Sequence, residues 1–232
     1  MNQPETSSSL SPLIHLLDDD AAVRQSLSLL ISTVGLRVQA WADSQLFLES
    51  FDRQAIGALI LDVRMPGISG LTRLDTLIDQ GVDQPIILLT GHGTVDMCRR
   101  AFKAGAAEFL EKPVGDDVLL DTVQQAVRQH VRRRERLAAD QWARERYASL
   151  SERERDVLGL IVEGLTNKEI GRALSLSPRT VETHRANLFA KLQVDTLAHL
   201  IRHYASLVDT ATQKYGGGRV GVRMAARRGR AL

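Results

Sequence analysis

Four short apolar runs in the first half of the chain each stop at polar residues, and that repetition constrains the fold more than any other feature. PLIHLLDDD (12–20) ends in acids, GALILDV (57–63) carries Asp62, QPIILLT (84–90) ends at Thr90, and AEFLEKP (107–113) reaches Lys112. Short apolar runs separated by helical patterns read as parallel strands buried beneath helices on both faces. In a doubly wound sheet the strand C-termini converge on one crevice, where ligands bind. The expected site therefore gathers Asp18, Asp19 and Asp62 with the Thr90 hydroxyl and the Lys112 ammonium.

Chemistry narrows the site further. Clustered carboxylates repel one another, so at neutral pH they need a cation or a raised pKa. Oxygen ligands alone suit Mg²⁺. An Asp in such a site can act as nucleophile and form an aspartyl-phosphate. A hydroxyl and a lysine opposite would hold the new phosphoryl oxygens. Helix capping is the plainer account of the acid run, and Asp20 suits it. It precedes AAVRQSLSLLISTVG, in which Val23, Leu27, Leu30 and Val34 share a face and Gly35 terminates the helix. Capping does not account for Asp19 and Asp62 once Lys112-Pro113 completes the set.

At LLDDD (16–20), LDVRMPGISG (61–70), LLTGHG (88–93) and KAGAAEFLEKP (103–113) the likeness becomes specific. With these motifs, residues 12–127 resemble a two-component receiver domain. The resemblance implies an α/β fold, a flavodoxin-like doubly wound parallel sheet of five strands. It implies that Asp62 accepts a phosphoryl group from a sensor histidine kinase. Asp19 would bind Mg²⁺ directly, Asp18 would assist, and the backbone carbonyl of Arg64 would supply a further ligand. Thr90 and Phe109 would form a switch pair, Lys112 would contact the phosphoryl group, and the Lys112-Pro113 bond would be cis, which only an X-Pro bond adopts cheaply.

A chain of 232 residues with 44% hydrophobic content can hold one large or two modest domains. No run approaches the apolar length of a membrane span. MNQPETSSSL lacks the basic-then-apolar layout of a signal peptide, and residues 1–11 are expected to be disordered. The single cysteine, Cys98, excludes an internal disulfide and fits a reducing cytoplasm. Lys and Arg number 9 against 14 Asp and Glu over residues 1–115, an acidic first domain. Residues 214–232 carry 6 basic side chains and no acid, so 209–232 is expected as a disordered basic tail with an affinity for phosphate backbones.

From Asp116 to Leu150 there is neither Gly nor Pro, and Leu119, Leu120, Val123, Val127 and Val131 recur at helical spacing. The last receiver helix should therefore run on into a helical linker at 128–148, where the apolar stripe thins. A new pattern starts at SERE (151–154), a capping box, followed by Val157, Leu158 and Ile161 and a stop near Gly164. TNKE (166–169) is a second capping box, and Ser177-Pro178 opens a third helix with Pro at its first position. Asp195 is the expected cap of a fourth, TLAHLIRHYASLV. Two short helices joined around Ser175–Ser177 make a helix-turn-helix. Residues 149–208 resemble the LuxR-type DNA-binding domain, with SPRTVETHRANLFAKL (177–192) similar to its FixJ-like branch. The whole is identified as a two-component response regulator of the FixJ/NarL type.

On the third helix of this domain Val181, Leu188 and Leu192 form a buried stripe flanked by Phe189. The opposite face presents Arg179, Glu182, Thr183, Ala186, Asn187 and Ala190 to the major groove, with Thr180 beside them. Glu182 can accept from cytosine N4, Thr183 can touch a thymine methyl, and Asn187 can read adenine. Arg179, Lys191 and Lys168 are placed for phosphates.

The leading functional reading is a phosphorylation-controlled transcription factor and not an enzyme. Its partners would be a sensor histidine kinase, double-stranded DNA, RNA polymerase and, once phosphorylated, a second copy of itself. A magnesium-dependent phosphatase or phosphotransferase using Asp62 as nucleophile is the alternative. The acid site alone permits it, but residues 149–208 are spent on DNA-type helices instead of a substrate lobe. A relic receiver is disfavoured by the intact set Asp18, Asp19, Asp62, Thr90 and Lys112. Redox sensing through Cys98 competes with the ordinary role of a lone helical cysteine, that of a small hydrophobe.

Overall fold

The computed structural model describes residues 12–214 apart from 53 and 68, with side chains described as far as 208. The expected disordered stretch 1–11 and residues 215–232 of the expected tail lie outside the described residues. The chain divides into two compact units between Glu135 and Arg136.

In the first unit five strands, β1 (Leu13–Leu17), β2 (Arg37–Trp41), β3 (Gly57–Asp62), β4 (Ile86–Thr90) and β5 (Glu108–Glu111), form one parallel sheet in the order β2-β1-β3-β4-β5. Between them run α1 (Ala21–Ser32), α2 (Ser44–Ser50), α3 (Gly70–Asp79) and α4 (Val95–Lys103), and α5 (Asp116–Ala148) follows the last strand. The central strands are buried and largely apolar because helices cover both faces. Ile14, Leu16, Ala58, Ile60, Ile87 and Leu89 pack with Ile31 of α1 and Leu119 and Val123 of α5. Leu17, Leu59, Leu61 and Leu88 face the other way, against Phe47 of α2 and Leu74 and Leu77 of α3. Strand alternation thus feeds two cores from each central strand.

Two details differ from expectation. Ile31 is the one buried residue of α1, while Leu27 and Leu30 are partly buried beside it. The edge strand β2 gave no apolar run because RVQAW is exposed or only half-buried along its length. Elsewhere local chemistry matches: Asp20 caps α1 by accepting from the N–H groups of Ala22 and Val23, and Gly35 adopts a φ of 77° just beyond that helix. Gly70 is required where α3 leaves the sheet, since a Cβ there would lie 2.5 Å from the Val63 Cα.

α5 is one helix of 33 residues. Its packing on the first unit continues past Val127, into the stretch expected as linker. His130 is 2% exposed and its Nδ1 lies 3.0 Å from the Gly57 carbonyl, and Arg134 donates to Asp83 Oδ1 at 3.0 Å. Polar contacts, invisible to an apolar-stripe argument, extend the docked part of the helix.

The second unit contains α6 (Glu152–Val162), α7 (Asn167–Leu174), α8 (Pro178–Leu192) and α9 (Leu197–Lys214). Both capping boxes form, Ser151 with Glu154 and Thr166 with Glu169. Ser177 caps α8 with Pro178 at its start. α7 and α8 are joined through Ser175, at a φ of 56°, and the turn closes tightly on Gly171, where a Cβ would sit 2.8 Å from the Leu176 carbonyl oxygen. The cap of α9 is Thr196, not Asp195: its Oγ1 accepts from the His199 N–H at 3.1 Å. α9 also runs through 209–214, expected as the start of the tail, because no Gly or Pro interrupts the chain before Gly216. Val157, Leu158, Ile161, Ile170, Val181, Leu188, Leu192, Leu200 and Tyr204 make its core.

Candidate functional site

Parallel strands of similar length bring Asp18, Asp62, Thr90 and Lys112 to one edge of the sheet. Asp18 follows β1 and is fully buried. Its Oδ1 accepts from the Asp20 N–H at 2.9 Å, and Arg24 Nη1 donates to its carbonyl oxygen at 2.6 Å. Asp62 ends β3 at 7% exposure, and its Oδ1 accepts from the Arg64 N–H at 3.2 Å. Lys112 Nζ lies between the two acids, 2.7 Å from Asp18 Oδ2 and 3.3 Å from Asp62 Oδ2. Its backbone N–H continues the ladder to the Thr90 carbonyl at 2.7 Å, and Lys112-Pro113 is cis. Asp19 is exposed, and one carboxylate oxygen from each of Asp18, Asp19 and Asp62 lies within 4.8 Å of the others.

The electrostatics follow from this crowding. Burial alone would lower the Lys112 pKa, but the hydrogen bond and charge of Asp18, joined by those of Asp62, outweigh it and hold the value above normal. The ammonium is therefore charged and compensates two buried carboxylates. The donor set is all hard oxygen with one member open to solvent, which fits Mg²⁺. Arg64, whose carbonyl is an expected ligand, also donates its N–H to Asp62.

The Thr90 hydroxyl is buried and bonds within its own turn, donating to the His92 carbonyl at 3.2 Å and accepting from the His92 N–H at 3.3 Å. Phe109 on β5 is half-buried and reaches the same turn: its Cε1 lies 3.0 Å from where a Cβ on Gly93 would stand. Glu111 Oε1 accepts from the Gly93 N–H at 3.0 Å. Sequence reasoning missed Arg24, Glu111 and the buried Arg73 of α3. The spacing of Gly70, Leu74 and Leu77 was the signal that could have flagged Arg73 as inward-facing.

In the second unit Val181, Leu188 and Leu192 of α8 are fully buried and Phe189 partly so. Arg179, Thr180, Glu182, Thr183, Ala186, Asn187 and Ala190 are exposed, as is Lys168 at the start of α7. Thr180 is tied into the helix cap, with its N–H on Ser177 Oγ at 3.0 Å. Thr183 Oγ1 donates to the Arg179 carbonyl at 3.1 Å. Lys191 departs from expectation: its Nζ is 2.7 Å from Oε2 of buried Glu154, an ion pair joining α8 to α6. Glu154 is held below the usual carboxylate range, because the hydrogen bonds from Lys191 and Ser151 and the Lys191 charge overcome the burial that would raise it.

Residues 14–124 match the response regulator receiver domain, and residues 148–204 match the bacterial regulatory proteins of the luxR family. The transcriptional regulatory protein FixJ of Bradyrhizobium diazoefficiens is 41% identical over 189 residues, 82% of this chain and 92% of that one. The chain is a FixJ-type response regulator. The response regulator protein TodT of Pseudomonas putida is 38% identical over 198 residues, 85% of this chain and 87% of its own. The solved structure of the response regulator StyR superposes with a TM-score of 0.73 at 37% identity, covering 84% of this chain and 99% of that one. This response regulator is thus a phosphorylation-controlled transcription factor with a LuxR-type DNA-binding domain. Nothing in its fold or relatives favours the phosphatase or phosphotransferase alternative. Among the described residues, no helix is long and apolar enough to cross a membrane.

Proposed function

We propose that Asp62 is the phosphoacceptor and that a sensor histidine kinase is the donor. A carboxylate oxygen of Asp62 bonds to phosphorus as the P–N bond of the kinase phosphohistidine breaks, and the released imidazole nitrogen takes up a proton. The observation that carries this reading is the Lys112 ammonium bridging Asp18 and Asp62. It stands where a new phosphoryl group would need a cation. Asp18, Asp19, Asp62 and the Arg64 carbonyl are the groups that would hold Mg²⁺. Bound there, the ion would neutralise charge on the transferring phosphoryl oxygens.

Phosphorylation gives Asp62 a second negative charge and acceptor oxygens that draw in the Thr90 hydroxyl from its bonds to His92. Phe109 packs on the same turn, so it turns inward as the turn moves. That repacks α4 and β5, and dimerisation through this face raises affinity for paired half-sites. On DNA, Glu182, Thr183, Ala186 and Asn187 meet base edges, while Arg179, Thr180 and Lys168 meet phosphates. RNA polymerase is the further partner this reading implies, and the cytoplasm its compartment.

Labelling by acetyl phosphate with Mg²⁺ tests the acceptor. Asp62→Asn keeps shape but lacks the nucleophile, so the mass increment should vanish. A stoichiometric label on that variant, mapped to another carboxylate, would overturn the assignment. Asp19→Asn should weaken Mg²⁺ binding and slow labelling while the domain stays folded.

A further inference from the structure

The buried face of α3 carries an arginine. Gly70, Arg73, Leu74 and Leu77 are its buried positions, and Arg73 is only 4% exposed. The guanidinium grips two other elements. Nε donates to Ser44 Oγ, at the start of α2, at 3.1 Å, and Nη2 donates to the Pro66 carbonyl at 3.1 Å. Pro66 lies in the turn between β3 and α3, whose Arg64 N–H reaches Asp62 at 3.2 Å. Nη1 is buried with no hydrogen-bond partner among the described residues.

Packing alone does not account for an arginine here. A leucine or methionine would bury the same helix face without desolvating a charge or stranding a donor. The charge does have a counterpart. Burial lowers the Arg73 pKa, and the charges of Asp43, Asp19 and Asp62 oppose that, in this order. An arginine stays protonated in a protein, so a fixed positive charge, held on the turn that leaves Asp62 through the Pro66 carbonyl, adds to that of Lys112.

We propose that Arg73 is a positioning residue of the phosphorylation site: its fork fixes the β3–α3 turn behind Asp62, and its charge opposes a divalent cation in the acid pocket. The proposal rests on Asp62 as phosphoacceptor. A planar fork that bonds two elements at once fixes their relative geometry in a way a lysine point charge does not. The charge has two consequences of opposite sign. It weakens the hold of Asp18, Asp19 and Asp62 on a free cation, and it favours the added negative charge once Asp62 is phosphorylated. The site would then be biased against filling with metal in the resting state and towards the phosphorylated one.

Two variants of the full chain separate fork from charge. Arg73→Met removes both and keeps the packing, whereas Arg73→Lys keeps the charge and removes the fork. Calorimetric titration with MgCl₂ alone should show Arg73→Met binding roughly three- to tenfold more tightly than the parent, with Arg73→Lys close to it. Tighter binding is a gain that a merely loosened structure does not produce. Labelling by acetyl phosphate at saturating Mg²⁺ should be slower in both variants, about tenfold in Arg73→Met. Unchanged or weaker Mg²⁺ binding by a cooperatively folding Arg73→Met overturns the role of the charge. Should that variant not fold, Arg73→Lys decides the role of the fork, and labelling at the parent rate overturns it. A label in the parent mapped away from Asp62 would defeat the phosphoacceptor reading instead, and the Mg²⁺ titration would still decide the charge.

Discussion

Asp18 and Asp62 both lie at the sheet edge under almost complete burial, so each is tolerable only with a cation or donors at hand, and Lys112 serves both. Lys112→Met leaves two carboxylates facing each other. The variant should lose about 2–3 kcal/mol of stability in the absence of divalent ions, less than a fully buried pair because the lysine keeps some solvent contact. Mg²⁺ should raise its melting temperature more than it raises that of the parent, since the ion binds the folded acids. Equal shifts in the two proteins would dissociate Lys112 from the acid pocket. His15 makes a second residue-level case. It is 1% exposed, its Nδ1 accepts from Trp41 Nε1 at 3.2 Å, and burial pushes its pKa from 6.5 to about 4 against the opposing charge of Asp52. A depressed histidine pKa means that the unfolded chain binds the proton first. Stability is unaffected above pH 6.5 and falls as the pH drops from there towards 4, by about 3 kcal/mol in all. His15→Leu should flatten this part of the profile in denaturant titrations. Buried His130, whose pKa is also lowered, should leave a residual slope.

Among the elements, α8 shows best how a helix divides its duties. Three fully buried apolar residues fix its rotation, and that rotation exposes Glu182 and Thr183. Changing either to Ala should relax preference at one or two operator positions, costing about 1–3 kcal/mol per lost base contact. Arg179→Ala should weaken all sequences alike and lower the salt slope by about one. Lys191→Ala should leave that slope unchanged and instead lower stability, because it leaves the buried Glu154 carboxylate with the Ser151 donors but without its cation. A lowered slope for Lys191→Ala would restore it to the phosphate contacts. The central strands, the caps of α1, α6, α7 and α8 and the α8 stripe were legible in the sequence because apolar period and cap chemistry are local properties. What escaped depended on polar groups meeting across the fold. Arg73 reads as a surface residue until Ser44 and Pro66 are found against it. The docked part of α5 extends through His130 and Arg134, which no apolar stripe marks. Lys191 looks free until Glu154, 37 residues earlier in the chain, is found buried beside it. The strand-end acids were legible for the opposite reason, since parallel topology alone converges them.

For the whole molecule, the question is how one phosphoryl group changes DNA occupancy. One helix-turn-helix reads only a few base pairs, so two chains on paired half-sites would bind more tightly than one. The first unit offers an element that one local charge change can bias. Thr90 and Phe109 meet at the turn of His92 and Gly93, which opens α4. In the proposed switch, moving the Thr90 hydroxyl towards phosphorylated Asp62 would break its bonds to His92, and the turn would then repack with Phe109 against α4 and β5. The exposed face of α4 includes Val95 at 88% and Phe102 at 46%, apolar surface that a second copy would cover. The protein should therefore be mainly monomeric when unphosphorylated and dimeric with beryllofluoride and Mg²⁺, as read by light scattering across a concentration series. Phe102→Glu should hold it monomeric under both conditions while leaving Asp62 labelling intact. Thr90→Ala should be labelled yet dimerise weakly, because the hydroxyl proposed to couple the two events is gone. A mass that does not change on activation, together with full-strength operator binding by the unphosphorylated protein, would show that the receiver acts by some route other than dimerisation.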